Sequence, residues 1–197
     1  MVLLLSISLG SVAIPIDEII AVLLGNNSSK SSWSTIILHF RLPKAIAAML
    51  VGSGLSIAGL LMQTLFKNPL AGPFVLGISS GASLGVAILI LGAGIFGGVL
   101  TTVSFSSWGL AIASSLGASI VLLAVLITAH KVRNTMSILI IGLMFGTVTS
   151  AIISVFTFFS DAEKIQQFVF WGFGSLGNLS WNEILVFFII YLISILT

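Results

Sequence analysis

Residues 68–129 contain no Asp, Glu, Lys, Arg or His. No other feature restricts the fold of this chain so tightly. A soluble body has to cover its surface with charge, and a run of this length would leave much of that surface bare. A bilayer removes the problem, because its hydrocarbon core accepts apolar side chains without cover. One span needs roughly 20 predominantly apolar residues, so the run must fold back on itself at least once. Residues 45–66 and 134–160 are likewise free of charge.

Composition agrees. Hydrophobic residues make up 58% of the chain and charged residues 6%, where a soluble domain carries about one quarter charged residues. Seven Lys and Arg face five acids. That excess is too thin for the basic patch that nucleic acid binding requires. With no cysteine, a disulfide scaffold, a thiolate metal site and a cysteine nucleophile are all excluded.

The pattern predicts an all-α, polytopic transmembrane bundle of about six spans, at residues 1–15, 45–66, 74–91, 109–129, 135–159 and 183–197. Turns are expected at Asn68-Pro69-Leu70-Ala71-Gly72-Pro73 and at the glycine-rich stretch 92–98. At 1.5 Å per residue the first span reaches only about 22 Å against about 30 Å of hydrocarbon, and the last is equally short. Both lie at chain ends, so the expectation is a single transmembrane domain, residues 1–197, cut from a longer protein at both ends. The first span does not read as a signal peptide, because no Lys or Arg precedes Lys30 and a signal peptide opens on a basic region.

Two shorter segments read as interfacial helices. Residues 16–24 carry Asp17 and Glu18 in the first turn and Gly25 as a C-cap. Ser160-Asp161-Ala162-Glu163 has the spacing of a capping box that starts a helix through Trp171, with Ile165, Phe168 and Val169 on one face. Ser180-Trp181-Asn182-Glu183 repeats the box before the last span. Alternating topology puts both short helices on one side, with Trp33, Trp108, Trp171 and Trp181 as an interfacial belt. A loop resting on headgroups and a functional element are equally compatible with these segments. Lys30, Arg41, Lys44 and Lys164 fall on the tryptophan side, Lys67, Lys131 and Arg133 on the other, so charge counting leaves the orientation open.

Small residues recur every four positions: Gly77, Gly81 and Gly85; Ala48, Gly52 and Ser56; Gly142, Gly146 and Ser150. This spacing lets helix backbones approach closely in lipid, and bundle packing is the simpler reading than cargo contact. Gln63 is the strongest polar group of the second span, and a buried amide bond to a neighbouring helix is its expected role. No Asp, Glu, Lys, Arg or His lies well inside a span. Ion-coupled carriers and voltage sensors usually hold such residues at mid-membrane, so the energy for any transport would have to come from elsewhere.

The ordered motifs carry more information than any one of them. Arg41-Leu42-Pro43-Lys44 opens the second span. Gln63 precedes Asn68-Pro69-Leu70-Ala71-Gly72-Pro73, and Leu76-Gly77-Ile78-Ser79-Ser80-Gly81-Ala82 opens the third span. This order resembles the FecCD-type permeases, which import iron–siderophores, haem and vitamin B12. Their pattern reads RLPR, a glycine-rich helix, Q, NPLA-x-P and LG-x-x-x-GA. Weaker resemblance continues through Gly142 and the stretch Phe170-Trp171-Gly172-Phe173-Gly174-Ser175.

The resemblance implies a bacterial cytoplasmic-membrane permease of the type II ABC importer class, with about ten spans per subunit. It implies a second permease subunit, two cytoplasmic ATPases that bind ATP, an extracytoplasmic binding protein, and no cofactor, metal or nucleic acid on this chain. The tryptophan side would face outward. Arg41 and Lys44 would receive carboxylates of the docking binding protein, although Lys44 stands where the family has arginine and lacks the guanidinium fork. From the residues alone, both could equally snorkel to lipid phosphates. Thr135 and Met136 would lie at a cytoplasmic gate, where an ordinary tight turn is the plainer reading. The family's ATPase-coupling helix follows the sixth span, beyond Thr197, and no Walker-type loop is present. The chain on its own is therefore expected neither to hydrolyse ATP nor to drive an ATPase. An ion-coupled transporter or channel is the alternative, and a membrane-embedded enzyme a further one; the spans lack the ionisable clusters that each needs.

Overall fold

The computed structural model describes residues 2–26, 28–92, 106–132, 134–177 and 179–196. Among these, every regular element is a helix. We number them α1 (Val2–Ser8), α2 (Ile16–Leu23), α3 (Ser31–Ile36), α4 (Leu42–Phe66), α5 (Ile78–Ile90), α6 (Ser107–Ala129), α7 (Thr135–Phe158), α8 (Ala162–Gly172) and α9 (Trp181–Leu196). A π-turn over Ile37–Arg41 joins α3 to α4, and a 3-10 turn over Pro73–Leu76 precedes α5. Three helical stretches have the length and apolarity to cross a membrane: Ser31–Phe66, Ser107–Ala129 and Met136–Phe158. Their large apolar side chains mostly point away from the protein, Ile120, Ile127, Leu143 and Met144 among them. Soluble helices bury such faces; lipid-facing ones have no need to.

The chain forms two compact units, residues 1–57 with 175–197, and residues 58–174. In the first unit, Ile7 of α1, Ile14, Ile19 of α2 and Ile37 of the π-turn are at most 1% exposed and form one core, with Leu3, Leu4 and Trp33 around it. The amphipathic pattern of α2 explains its place: Ile19 and Val22 face inward. Its end follows the Gly25 expectation. Gly25 adopts φ 84°, its N–H donates to Val22 O at 3.1 Å, and Asn26 N–H donates to Ala21 O at 2.9 Å. These two bonds make a Schellman cap, which needs a residue with left-handed backbone. The loop that follows is tied back by Glu18, which accepts from both the backbone N–H and the hydroxyl of Ser29. Those bonds hold the Glu18 carboxyl below its ordinary pKa of 4.5.

The segment read as a first span is helical only over Val2–Ser8. Gly10, Ser11 and Pro15 break the pattern, and an isolated first turn has little to hold it. By contrast, the second span starts earlier than expected. The helix is continuous from Ser31 through the π-turn to Phe66.

In the second unit, α5 lies along α6 and against α7, and α8 packs on α5. Val86, Ala87, Ile90 and Leu91 are buried beneath Ile165, Phe168 and Trp171 of α8. Trp171, not Val169, completes that face, and Val169 is 46% exposed. The expected capping box at Ser160 does not form. Asp161 is the N-cap, without a side-chain cap bond, and the Ser160 hydroxyl instead donates to Phe156 O at 2.6 Å. A carbonyl of the preceding helix is closer to that hydroxyl than the turn ahead. The box at Ser180 does form: its hydroxyl and backbone N–H donate to Glu183 Oε2 at 2.9 and 2.8 Å. The third expected span is shorter and broken, because Gly77 (φ 74°) separates the 3-10 turn from α5. Most of the expected turn at 92–98, and Arg133, lie outside the described residues.

Candidate functional site

The basic corner of the first unit grows from Pro43. Proline has no N–H to give and its ring crowds the carbonyl four residues back. The helix answers with one wider turn, in which Leu42 N–H donates to Ile37 O, five residues back. In that register Pro43 would owe a bond to Leu38 O. That carbonyl is left open, and Trp181 Nε1–H of α9 donates to it at 3.1 Å. Lower in the same unit the Tyr191 hydroxyl and Ser53 Oγ are 2.9 Å apart, and the Tyr191 ring lies against Gly54.

Arg41 closes the π-turn. Its Nη1 donates to Ile7 O at 2.6 Å and Ser8 O at 3.0 Å, and its Nη2 donates to Val12 O. The guanidinium thereby gives a partner to the Ile7 and Ser8 carbonyls at the end of α1, which no helical N–H reaches; Ser8 O also accepts from Ile14 N–H at 3.2 Å. Gly10 stands close by: a Cβ built there would lie 2.7 Å from Nη2. Lys44, one turn on, is exposed. Both cations line an open cavity of about 610 Å³ with Ser6, Leu9, Ser11 and Phe40. Among the described residues no acidic side chain lines it, so its walls offer cationic, hydroxyl and apolar groups to an anionic visitor.

In the second unit, glycine spacing becomes backbone contact. The Ala113 carbonyl oxygen lies 2.0 Å from where a Cβ on Gly85 would stand, and the Gly117 oxygen lies 2.7 Å from one on Gly81. Seen from α6, Gly117 would strike Gly81 O at 2.2 Å. α7 approaches similarly, since a Cβ on Gly142 would lie 2.3 Å from Val75 O. Gly77 would meet Gly142 O at 3.1 Å besides needing its left-handed backbone. Gly146 meets only the Ser80 side chain, at 3.3 Å. Gly52 differs from all of these. A Cβ there would meet nothing within 4 Å, so no close helix approach occurs at Gly52 among the described residues. Gly117 was missing from the expected stripes, although Ala113, Gly117 and Val121 repeat at the same four-residue spacing.

The motif between α4 and α5 builds a turn. Lys67 has φ 47°, Asn68 N–H donates to Gln63 O at 3.1 Å, and Asn68 Oδ1 accepts from Leu70 N–H at 2.9 Å. Ala71 is buried, Leu70 is 89% exposed, Pro69 is exposed, and Pro73 opens the 3-10 turn. The Gln63 side chain is exposed rather than buried between helices, because its position on α4 turns away from the Phe66 core. Beyond the turn, an open groove of about 340 Å³ runs between the start of α5 and α7, lined by Phe74, Gly77, Ser80, Gly146, Thr147 and Ser150. Thr147 and Ser150 turn their hydroxyls onto the carbonyls of Met144 and Gly146, which leaves a nearly neutral surface. Thr135 opens α7, capped by Asn134, whose Oδ1 accepts from Met136 N–H at 3.0 Å; the Met136 side chain is half-exposed. Among the described residues no three His, Asp or Glu side chains converge.

Long apolar helices facing outward, a seam of touching backbones and an uncharged groove define the class: a polytopic helical membrane protein. The sequence matches the FecCD transport family over residues 1–197. It is 39% identical over 165 residues to a "Probable iron chelatin transport system permease protein" of Helicobacter pylori, covering 83% of this chain and 47% of that one. It is 34% identical over 161 residues to the vitamin B12 import system permease protein BtuC of Escherichia coli, covering 79% and 47%. A solved structure described as "An inward-facing conformation of a putative metal-chelate type ABC transporter" matches with a TM-score of 0.78 and 27% identity, over 98% of this chain and 56% of the other. The chain belongs to the FecCD transport family. It spans about half the length of the curated relatives it matches.

Proposed function

We propose that this chain is the front portion of the transmembrane permease subunit of a bacterial ABC importer, moving iron–siderophore, haem or cobalamin-type cargo across the cytoplasmic membrane. The family match over residues 1–197 carries the reading. The chemistry of the spans supports it, because α5, α6 and α7 hold no ionisable side chain on which ion coupling could act. ATP would be bound and hydrolysed on two separate ATPase subunits. Alternating access would run between this subunit and a second permease copy or paralogue. The tryptophan-bearing end would face outward, and the corner at Arg41 and Lys44 would receive acidic groups of a binding protein. Thr135 and Met136, at the start of α7, would stand at the cytoplasmic gate.

The test is transport by the intact permease, purified with its ATPase and reconstituted in proteoliposomes with the binding protein. Uptake of cobalamin, ferric siderophore or haem should require ATP and survive collapse of the ion gradients. Uptake that follows a proton or sodium gradient without ATP would replace the reading with an ion-coupled carrier.

A further inference from the structure

We infer that α2 is an in-plane membrane anchor: Ile16, Ile20, Leu23 and Leu24 rest on the acyl boundary of the leaflet at the Trp33 end, beside the helix that crosses it. The inference needs only that the Ser31–Phe66 helix spans a bilayer. It holds whatever the cargo or the energy source.

One short helix has three different faces. At 3.6 residues per turn, Ile19 and Val22 point to one side, and both are buried in the core of the first unit. Asp17, Glu18 and Ala21 point to a second side, where Asp17 is exposed and Glu18 takes the two bonds from Ser29. Ile16, Ile20 and Leu23 share the third side, and Leu24 continues it past the helix end. These four are 43%, 44%, 43% and 74% exposed. A helix that lies in a headgroup layer beside a spanning helix needs this division: protein at its flank, acyl chains below and water above.

Depth names lipid as the occupant. Lys44 and Lys67 bracket the uncharged stretch 45–66. That stretch is about 33 Å of helix, which matches about 30 Å of hydrocarbon. Ala45 then stands at the hydrocarbon edge, and Ile37 about 12 Å above it along the same helix. Ala45, Ile37, Ile19 and Val22 belong to one core, so α2 packs beside a stretch that takes in the whole headgroup layer, about 5–8 Å deep. Trp33 lies against the same core, with Lys30 Nζ 4.9 Å from its ring centroid. An aromatic ring with a cation beside it is at home among headgroups.

The polar face sets the kind of contact. Interfacial helices that seek anionic lipids carry Lys or Arg there, whereas α2 carries Asp17 and Glu18. Apolar area alone drives the insertion, and anionic headgroups add nothing to it. The Gly25 cap and the Glu18–Ser29 bonds tie the following loop back onto the anchored helix, so the bilayer surface fixes the height of that loop.

The test uses the intact permease, assembled with its ATPase in nanodiscs and without a binding protein. Single spin labels are attached at Ile20→Cys, Leu23→Cys and Asp17→Cys. Electron paramagnetic resonance then reads collisions with oxygen, which concentrates in acyl chains, and with a nickel chelate, which stays in water. Labels at Ile20→Cys and Leu23→Cys should meet oxygen several-fold more often, and nickel several-fold less often, than the label at Asp17→Cys. Discs of phosphatidylcholine with and without phosphatidylglycerol should give the same depth. All three side chains are exposed, so the core is untouched; Leu24→Cys repeats the measurement if one variant fails to fold. Equal nickel access at Ile20→Cys and Asp17→Cys would put the face in water and overturn the inference. Low access to both reagents at Ile20→Cys and Leu23→Cys would mean that protein covers the face, a second copy or another part of the permease, and would overturn it too. Insertion seen only with phosphatidylglycerol would make charge the driving force, which also overturns it. ATP-driven uptake by the same preparations is a separate readout, so this inference and the importer reading fail independently.

Discussion

Trp181 donates its indole N–H to the carbonyl of Leu38 at 3.1 Å, a carbonyl left open because Pro43 has no N–H to offer. A proline and a tryptophan far apart in sequence thus settle one hydrogen bond between them. It joins the start of α9 to the π-turn at the head of the long Ser31–Phe66 helix.

That pairing predicts non-additivity. Trp181→Phe should cost about 1 kcal/mol, the net worth of a typical hydrogen bond. In a Pro43→Ala background the cost should fall, because the new backbone N–H competes for the same region and relaxes the π-turn. Thermal unfolding of the four proteins of the cycle measures the coupling. Strict additivity would mean that the indole and the proline act independently.

The seam between α5 and α6 predicts a sharp contrast among glycines. Gly85→Ala places a methyl 2.0 Å from Ala113 O, which only a backbone shift can relieve. Overpacking of this kind costs about 1–3 kcal/mol. Gly52→Ala meets nothing within 4 Å and should leave stability unchanged or slightly raised, since alanine favours helix over glycine. Melting midpoints of the detergent-purified permease compare them. Equal sensitivity at both positions would contradict the seam.

Glu18 predicts an acid-sensitive loop. Its carboxyl is held below 4.5 by the two bonds from Ser29. A depressed folded-state pKa stabilises the loop fully above the ordinary value, and the contribution is lost as pH falls through the folded value. Hydrogen exchange at the Ser29 amide should therefore stay protected at neutral pH and gain an acid-specific loosening below about pH 4.5. Ser29→Ala should remove that pH dependence. A parent protein whose loop exchanges identically across this window would contradict the clamp.

The gate reading predicts proximity between copies. Thr135→Cys in paired permease subunits should crosslink in one nucleotide state of the assembled importer and not in another. Met136→Cys, one residue further along α7, serves as its neighbour control. No crosslink in any nucleotide state would leave the segment as an ordinary capped turn, which Asn134 already explains.

Much of this protein can be read from its residues in order. Uncharged runs such as 68–129 demand a membrane, since backbone groups in lipid must be satisfied within a helix or a closed barrel. Local chemistry is legible too. Gly25 ends α2 because it tolerates positive φ, Ser180 and Glu183 form their box because they are three residues apart, and Asn68 turns the chain through its own backbone neighbours. Each of these depends on atoms a few residues away.

Tertiary structure decided whatever depended on distant atoms. Four-residue spacing marks Gly81, Gly85 and Gly52 alike, yet only the first two meet another backbone, because only there does a second helix arrive. Ser160 has the sequence of a cap and spends its hydroxyl on Phe156 O instead. Arg41 reads as a free cation beside Lys44, but its guanidinium reaches back to the carbonyls of Ile7 and Ser8 at the end of α1, more than thirty residues earlier in the chain, and to Val12 O in the loop that follows. A sequence states which donors and acceptors exist. Only the fold determines which of them meet, since a hydrogen bond or a van der Waals contact is a matter of a few ångströms in space rather than positions along a chain.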